Sequence, residues 1–317
     1  MESGKRLYFF DNIKAILIIL VVIGHLLEQF IYLPVNKYFY VLIYSFHMPL
    51  FIFISGYFSG FNTSKLLKRL VIPYVVFQLL YLLFNNFVLK NETVYTLTTP
   101  YWLLWYLLSC FFWNVIILFI KKVNLMIVFI SFIIGLIIGL DNTVNYYFSL
   151  SRTLVFLPFY LLGYYCKSIN YSLDNLRKNK TLTATISAIT IVAAFFVYLK
   201  IDKINHIWFY NSMSYSQASS NMLIRFMIYL IAILFSLMVI ILAPKNKIII
   251  LTNIGVNCFT IFLFHGFIVK YLVKVQLYKY LPNTFTVWIF IIIVTIISTL
   301  LLTSKSITKI MSVIVKF

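Results

Sequence analysis

The sequence is poor in acid. Asp and Glu together number seven against 26 Lys and Arg, a formal charge of +19, and charged residues of both signs fill only 10% of 317 positions. That scarcity excludes a water-soluble globule with a charged shell, because 63% of the residues are hydrophobic and mean hydropathy is +0.99. Cysteine is nearly absent too. Cys110, Cys166 and Cys258 stand far apart, with neither metal-ligand spacing nor an obvious pairing, and read as small buried apolar side chains that leave the redox compartment undecided. The nine glycines form no phosphate-cradling loop, and no heptad, low-complexity tract or strong internal repeat is present.

What remains is long apolar runs. A helix needs about 20 mostly apolar residues to span hydrocarbon. Ten such segments lie at 13 to 33, 39 to 59, 71 to 89, 101 to 120, 123 to 140, 147 to 167, 181 to 200, 222 to 243, 252 to 272 and 283 to 303. The expected fold is an all-α polytopic integral membrane protein of about ten transmembrane helices, a single transmembrane domain over 1–317 with no separate soluble domain. The first run is too long for a signal-peptide core and lacks a small-residue cleavage site, so it is expected to persist as the first helix. Basic clusters at Lys65, Lys68 and Arg69, at Lys121 and Lys122, from Lys167 to Lys180, and at Lys245 and Lys247 fall on the same side as both termini. Fewer cations fall opposite, so both termini are expected in the cytoplasm. The net charge thus reads as membrane orientation and not as nucleic-acid binding.

Ionisable groups inside spans are costly and mark functional sites by default. Of the acids only Asp11 and Glu28 touch a span, while His25, His47 and His265 lie in apolar helices. At 100° per residue, Asp11, Lys14, His25 and Glu28 fall at about 0°, 300°, 320° and 260°, one face of the first helix. Lys14 then lies about 16 Å below His25 along that face. The three histidines sit at one depth below the outer ends of their spans, and Arg152 enters from the same outer half. Glu28, three residues after His25, is placed to orient or balance its imidazole.

Each residue has a structural alternative. Histidines bridge helices by hydrogen bonds, Lys14 can reach back to the interface, Arg152 can serve an ion pair, and Arg225 and Lys270 read as interface anchors. A metal site is disfavoured because no histidine pair shows local ligand spacing. A Ser-His-Asp triad lacks both a nucleophile elbow and an inner-span Asp. Histidine acting as a base is favoured. The polar, aromatic stretch from 200 to 221 reads as a surface loop or as a cover over an outward-facing site.

"YFFDNIKAILIILVVIGH", "YSFHMPLFIFISGYFSG", "KLLKRLVIPYVVF", "YWLLWYLLSCFFW", "LVFLPFYLLGYY" and "NIGVNCFTIFLFHGFIV" occur in the order found in acyltransferase 3 family proteins. The chain resembles these membrane O-acyltransferases of bacterial envelope glycans over nearly its whole length. The most specific elements are a basic residue, ten residues and then histidine, followed by Phe-His-Met-Pro-Leu-Phe and Ser-Gly-Tyr. The basic residue, usually Arg in the family, is Lys14 here, as in the fucose 4-O-acetylase-like subgroup. Lysine offers a point charge where arginine offers a fork.

The resemblance implies a cytoplasmic acyl-CoA donor, acetyl-CoA or another such as succinyl-CoA, no metal, and a cell-envelope or capsular carbohydrate acceptor. It implies a place in the bacterial cytoplasmic membrane among lipids, and a homodimer is compatible with it. His25 with Glu28 is the expected catalytic pair. Lys14, Lys65, Lys68 and Arg69 are expected to bind the CoA phosphates, and His47, Arg152, Tyr57 and His265 the acceptor or the oxyanion. Direct transfer and an acyl-enzyme both remain open. The alternative from another class is a flippase or exporter of a lipid-linked glycan; a glycan polymerase ranks below it, since its outer loop would be rich in Arg and His.

Overall fold

The computed structural model describes residues 8–60, 66–91, 96–120, 122–281 and 283–316, and among them it is helical with no strand. Helices α1 (Tyr8–Leu27) and α2 (Pro34–Tyr57) come first. Helix α3 (Ile72–Leu83) is flanked by wider turns at Leu67–Val71 and Phe84–Val88. There follow α4 (Trp105–Phe119), α5 (Leu125–Ile137), α6 (Leu150–Ser168), the short α7 (Asp174–Lys178) and α8 (Lys180–Leu199). The last are α9 (Met222–Leu242), α10 (Ile249–Val256), α11 (Cys258–Lys274), α12 (Thr284–Leu302) and α13 (Lys305–Lys316).

A helix or helix pair occupies each of the ten apolar segments. Among the described residues, seven helices are long and apolar enough to cross a membrane, and the α10–α11 pair makes an eighth. Helix α5 with its 3-10 extension is shorter, and α6 carries Arg152 and Lys167. Asparagine starts several helices. Asn124 and Asn179 each accept a backbone N–H of the first turn at 2.9 Å, and Asn283 with Thr286 closes a reciprocal capping box.

The segment 252 to 272, expected as one span, is bent by 78° between α10 and α11. Asn257 sits at the break, its side chain folded back on the Asn253 carbonyl at 2.9 Å. Gly255, just before it, packs so closely on α1 that a Cβ there would fall on the Asp11 carbonyl.

Packing divides the chain into two compact units, 1–43 with 173–201 and 234–311, and 44–172 with 202–233 and 312–317. In the first unit α1 packs along α10, α11 and α12. Ile13, Ala15, Leu17, Ile18 and Leu27 are wholly buried, as suits a helix apolar on nearly every side. Asn12, also wholly buried, donates to the Pro244 and Asn246 carbonyls at 2.9 Å and accepts from Thr252 at 3.2 Å. Arg177 lies over the Phe9 ring and donates to the Ile240 and Ala243 carbonyls, tying α7 to the end of α9.

The core of the second unit joins Ile52, Trp105, Trp113, Val128, Phe156, Phe159, Tyr160 and Tyr229. Helices α2 and α6 cross backbone to backbone: a Cβ on Gly56 would meet the Tyr160 carbonyl, and one on Gly163 the Phe53 carbonyl. Small residues at such a crossing are what membrane helices use to approach closely. The stretch after 201 is tied down by hydrogen bonds to its neighbours and within itself. Ser151 donates to the Asn211 carbonyl, Tyr215 N–H to the Gly139 carbonyl and Trp208 to the Ala218 carbonyl. Arg225, expected as an interface anchor, is buried at 5% exposure. It donates to the Gly135 and Met213 carbonyls and lies over Tyr215 at 4.5 Å, so its charge clamps α5 to the stretch after 201. Burial raises the Tyr215 phenol above its ordinary pKa, against the opposing pull of Arg225.

Candidate active site

In the first unit the polar face of α1 is real and has two ends. At the lower end Lys14 Nζ pairs with Asp11 Oδ1 at 2.8 Å, with the lysine side chain 26% exposed. Eleven residues on, about 16 Å along the axis, His25 Nδ1 stands 3.8 Å from Glu28 Oε2. That separation is too long for a hydrogen bond but sets the carboxylate beside the Nδ1 edge of the ring. With Nδ1 turned to Glu28, the ring presents Nε2 on its opposite edge.

Helix α11 completes the upper end. His265, wholly buried, stacks on His25 with ring centroids 5.5 Å apart and planes 23° from parallel. Its Nδ1 lies 2.9 Å from the Ile261 carbonyl, which can only accept, so Nδ1 carries the hydrogen and the ring is held in one orientation. Lys270, expected as an interface anchor, lies instead within electrostatic reach of Glu28. Glu28 is thereby flanked by two basic groups, one from each helix. Sequence reasoning missed Lys270 in this role; its position five residues after His265 was the available signal. His25, Glu28 and His265 are brought together, while Lys14 stays at the far end of the same face.

In the second unit, His47 and Arg152 enter one aromatic cluster. Tyr44 packs edge-on against His47 at 4.9 Å and lies 5.9 Å from Tyr210. Arg152 donates from Nε to the Tyr210 carbonyl at 3.0 Å, and its guanidinium lies over Trp105 and Tyr146 at 5.0 and 5.5 Å. The chain enters α6 toward Arg152 through two consecutive left-handed residues, Phe148 and Ser149 (φ 49° and 54°). Such backbone is strained and is held by its surroundings, here by Phe148 N–H donating to the Thr98 carbonyl at 2.7 Å.

Tyr57 stands apart, ten residues beyond His47 at the end of α2, its ring edge-on to Phe58. The two residues before it have packing duties. Ser55 meets the Tyr106 hydroxyl at 2.5 Å and Gly56 makes the α2–α6 crossing. Lys68 and Arg69 are exposed on the turn before α3, and Lys65 lies outside the described residues.

A family profile described as "Acyltransferase domain" matches residues 7–304. The chain belongs to the acyltransferase 3 family. Two curated relatives match this acyltransferase over a short stretch, the nodulation protein NolL of Sinorhizobium fredii and that of Mesorhizobium japonicum. Each is 47% identical over 62 residues, 18% of this chain and 17% of its own length. The acyltransferase thus spans under a fifth of the length of these relatives. No solved structure matches it. Its polar groups lie within apolar helices, as suits an acyl transfer carried out in a multi-pass membrane protein.

Proposed function

We propose that this acyltransferase moves an acyl group, most simply acetyl, from a cytoplasmic acyl-CoA to a hydroxyl of a cell-envelope or capsular carbohydrate in the bacterial cytoplasmic membrane. The observation that carries this reading is His25, oriented by Glu28 on one side and stacked on His265 on the other. An imidazole so held suits a general base, worth about 10² to 10⁴ in rate. Its Nε2 takes the proton of the attacking hydroxyl as the oxygen bonds to the thioester carbonyl. Collapse of the tetrahedral intermediate breaks the carbon–sulfur bond, and the imidazolium returns its proton to the departing thiolate, giving an O-acyl ester and free CoA.

Lys14, Lys65, Lys68 and Arg69 are assigned to the donor phosphates, for which cations near one membrane face are suited. The His47 and Arg152 cluster, rich in aromatic faces, is assigned to the acceptor or the oxyanion, as is Tyr57. On this reading the chain forms about ten spans of one transmembrane domain, with both termini assigned to the cytoplasm because the basic clusters share their side.

The test is product analysis. Protein in nanodiscs is incubated with acetyl-CoA or succinyl-CoA labelled in the acyl group, together with envelope glycan extract. Label appearing on carbohydrate and released by hydroxylamine supports ester formation. If neither donor is consumed and label stays in CoA, the enzyme reading fails, and transport of a lipid-linked glycan becomes the reading to test.

A further inference from the structure

Helix α13, Lys305–Lys316, differs in pattern from the spans before it. With Lys305 set at 0°, Lys309 and Ser312 fall at about 40° and 340°, whereas Ile307, Ile310, Met311 and Ile314 fall between about 140° and 240°. The helix is thus split into a cationic arc and an opposed apolar arc. Met311 is buried, but Ile310, on the same apolar arc, is 55% exposed. Twelve residues make about 18 Å of helix, too short to cross a hydrocarbon core of about 30 Å.

The position of α13 is fixed by what precedes it. Only Thr303 and Ser304 separate it from the end of α12, a 19-residue span, and Thr308 N–H and Oγ1 each donate to the Ser304 carbonyl at 3.0 Å, so helix resumes at once. The end of α10 meets α1 at Asp11, and α11 leads from there to His25, so α11 runs with α1. Tyr278 meets Phe30 just past the end of α1 and Trp288 meets Phe39 near the start of α2, so α12 starts at that end and, packed on α1, returns to the end where α1 begins. A short helix leaving a span at that level lies where headgroups meet acyl chains. Exposed isoleucine at that level is suited to the acyl chains, and lysines on the opposite arc match anionic headgroups in sign.

We infer that α13 lies flat in the headgroup layer on the Lys14 side of the membrane and binds anionic phospholipid. Ile310 and Ile314 enter the acyl region, and Lys305 and Lys309 meet the phosphates. This device is independent of the acyl-transfer chemistry.

The test uses the full chain in nanodiscs of phosphatidylcholine with or without phosphatidylglycerol. A fluorophore is placed at Ile310→Cys or Lys309→Cys after the three native cysteines are replaced by Ala. Quenching at position 310 by lipid-borne nitroxide with protection from iodide, and the reverse at position 309, is the expected result. A second measurement keeps the native cysteines: mass spectrometry of co-purified lipid should show phosphatidylglycerol retention falling on the order of tenfold in Lys305→Glu/Lys309→Glu. Iodide quenching at position 310, or unchanged lipid retention after charge reversal, overturns the inference.

Discussion

The imidazoles of His25 and His265 lie face to face, 5.5 Å apart and 23° from parallel. Several features are needed to bring them there. Gly255 lets α10 approach α1 at Asp11, the 78° bend redirects the chain, and the Ile261 carbonyl fixes the second ring. A stacked ring positions its neighbour through shape as well as hydrogen bonding. His265→Phe should therefore retain more acyl transfer than His265→Ala, in which kcat is expected to fall about 10- to 100-fold from loss of orientation. KM for the acyl-CoA should change little in either. Equal loss in the two variants would remove the stack from the mechanism.

Lys14 and Asp11 form the other end of the α1 face. Lys14→Ala should raise KM for acyl-CoA with kcat nearly kept, because a phosphate contact made equally in ground and transition states is uniform binding. Lys14→Arg should restore most of the affinity, since it keeps the charge. Steady-state kinetics over a wide donor range separate these results from a loss in kcat alone.

Asn12 binds three partners across the start of α1. Asn12→Leu leaves the Thr252 hydroxyl and two carbonyls without this partner in an apolar setting, and should cost about 1–3 kcal/mol. A lowered unfolding midpoint in detergent checks it, with Asn12→Asp expected to be no better because a carboxylate cannot donate to carbonyls.

Gly56 and Gly163 each face a carbonyl across one helix crossing. Substituting either with Val should destabilise the protein by about 1–3 kcal/mol through forced separation of α2 and α6. Because both act at one contact, the double substitution should cost less than the sum. Additive midpoint shifts would show that the two glycines act separately.

Much of this was legible in sequence. The ten helix positions follow from apolar runs, and the pairings of Asp11 with Lys14 and His25 with Glu28 follow from their i, i+3 spacing. The shared depth of His25 and His265 already hinted at their meeting. Other features depend on tertiary contact. Arg225 looked like an anchor because a cation near a span end usually is one, yet carbonyls from a neighbouring helix and the stretch after 201 enclose it. The nearness of Lys270 to Glu28 likewise depends on how α11 packs against α1. The bend at Asn257 carries no proline to announce it, and Asn12 is one uncharged polar residue inside a motif whose partners lie more than 230 residues away.

The most direct measurement compares acceptor-dependent release of free CoA by wild type and His25→Ala, with unfolding midpoints taken on the same preparations. General-base transfer through His25 predicts a fall of about 10² to 10⁴ in kcat with the midpoint retained. Release at the wild-type rate by a folded His25→Ala protein would contradict it.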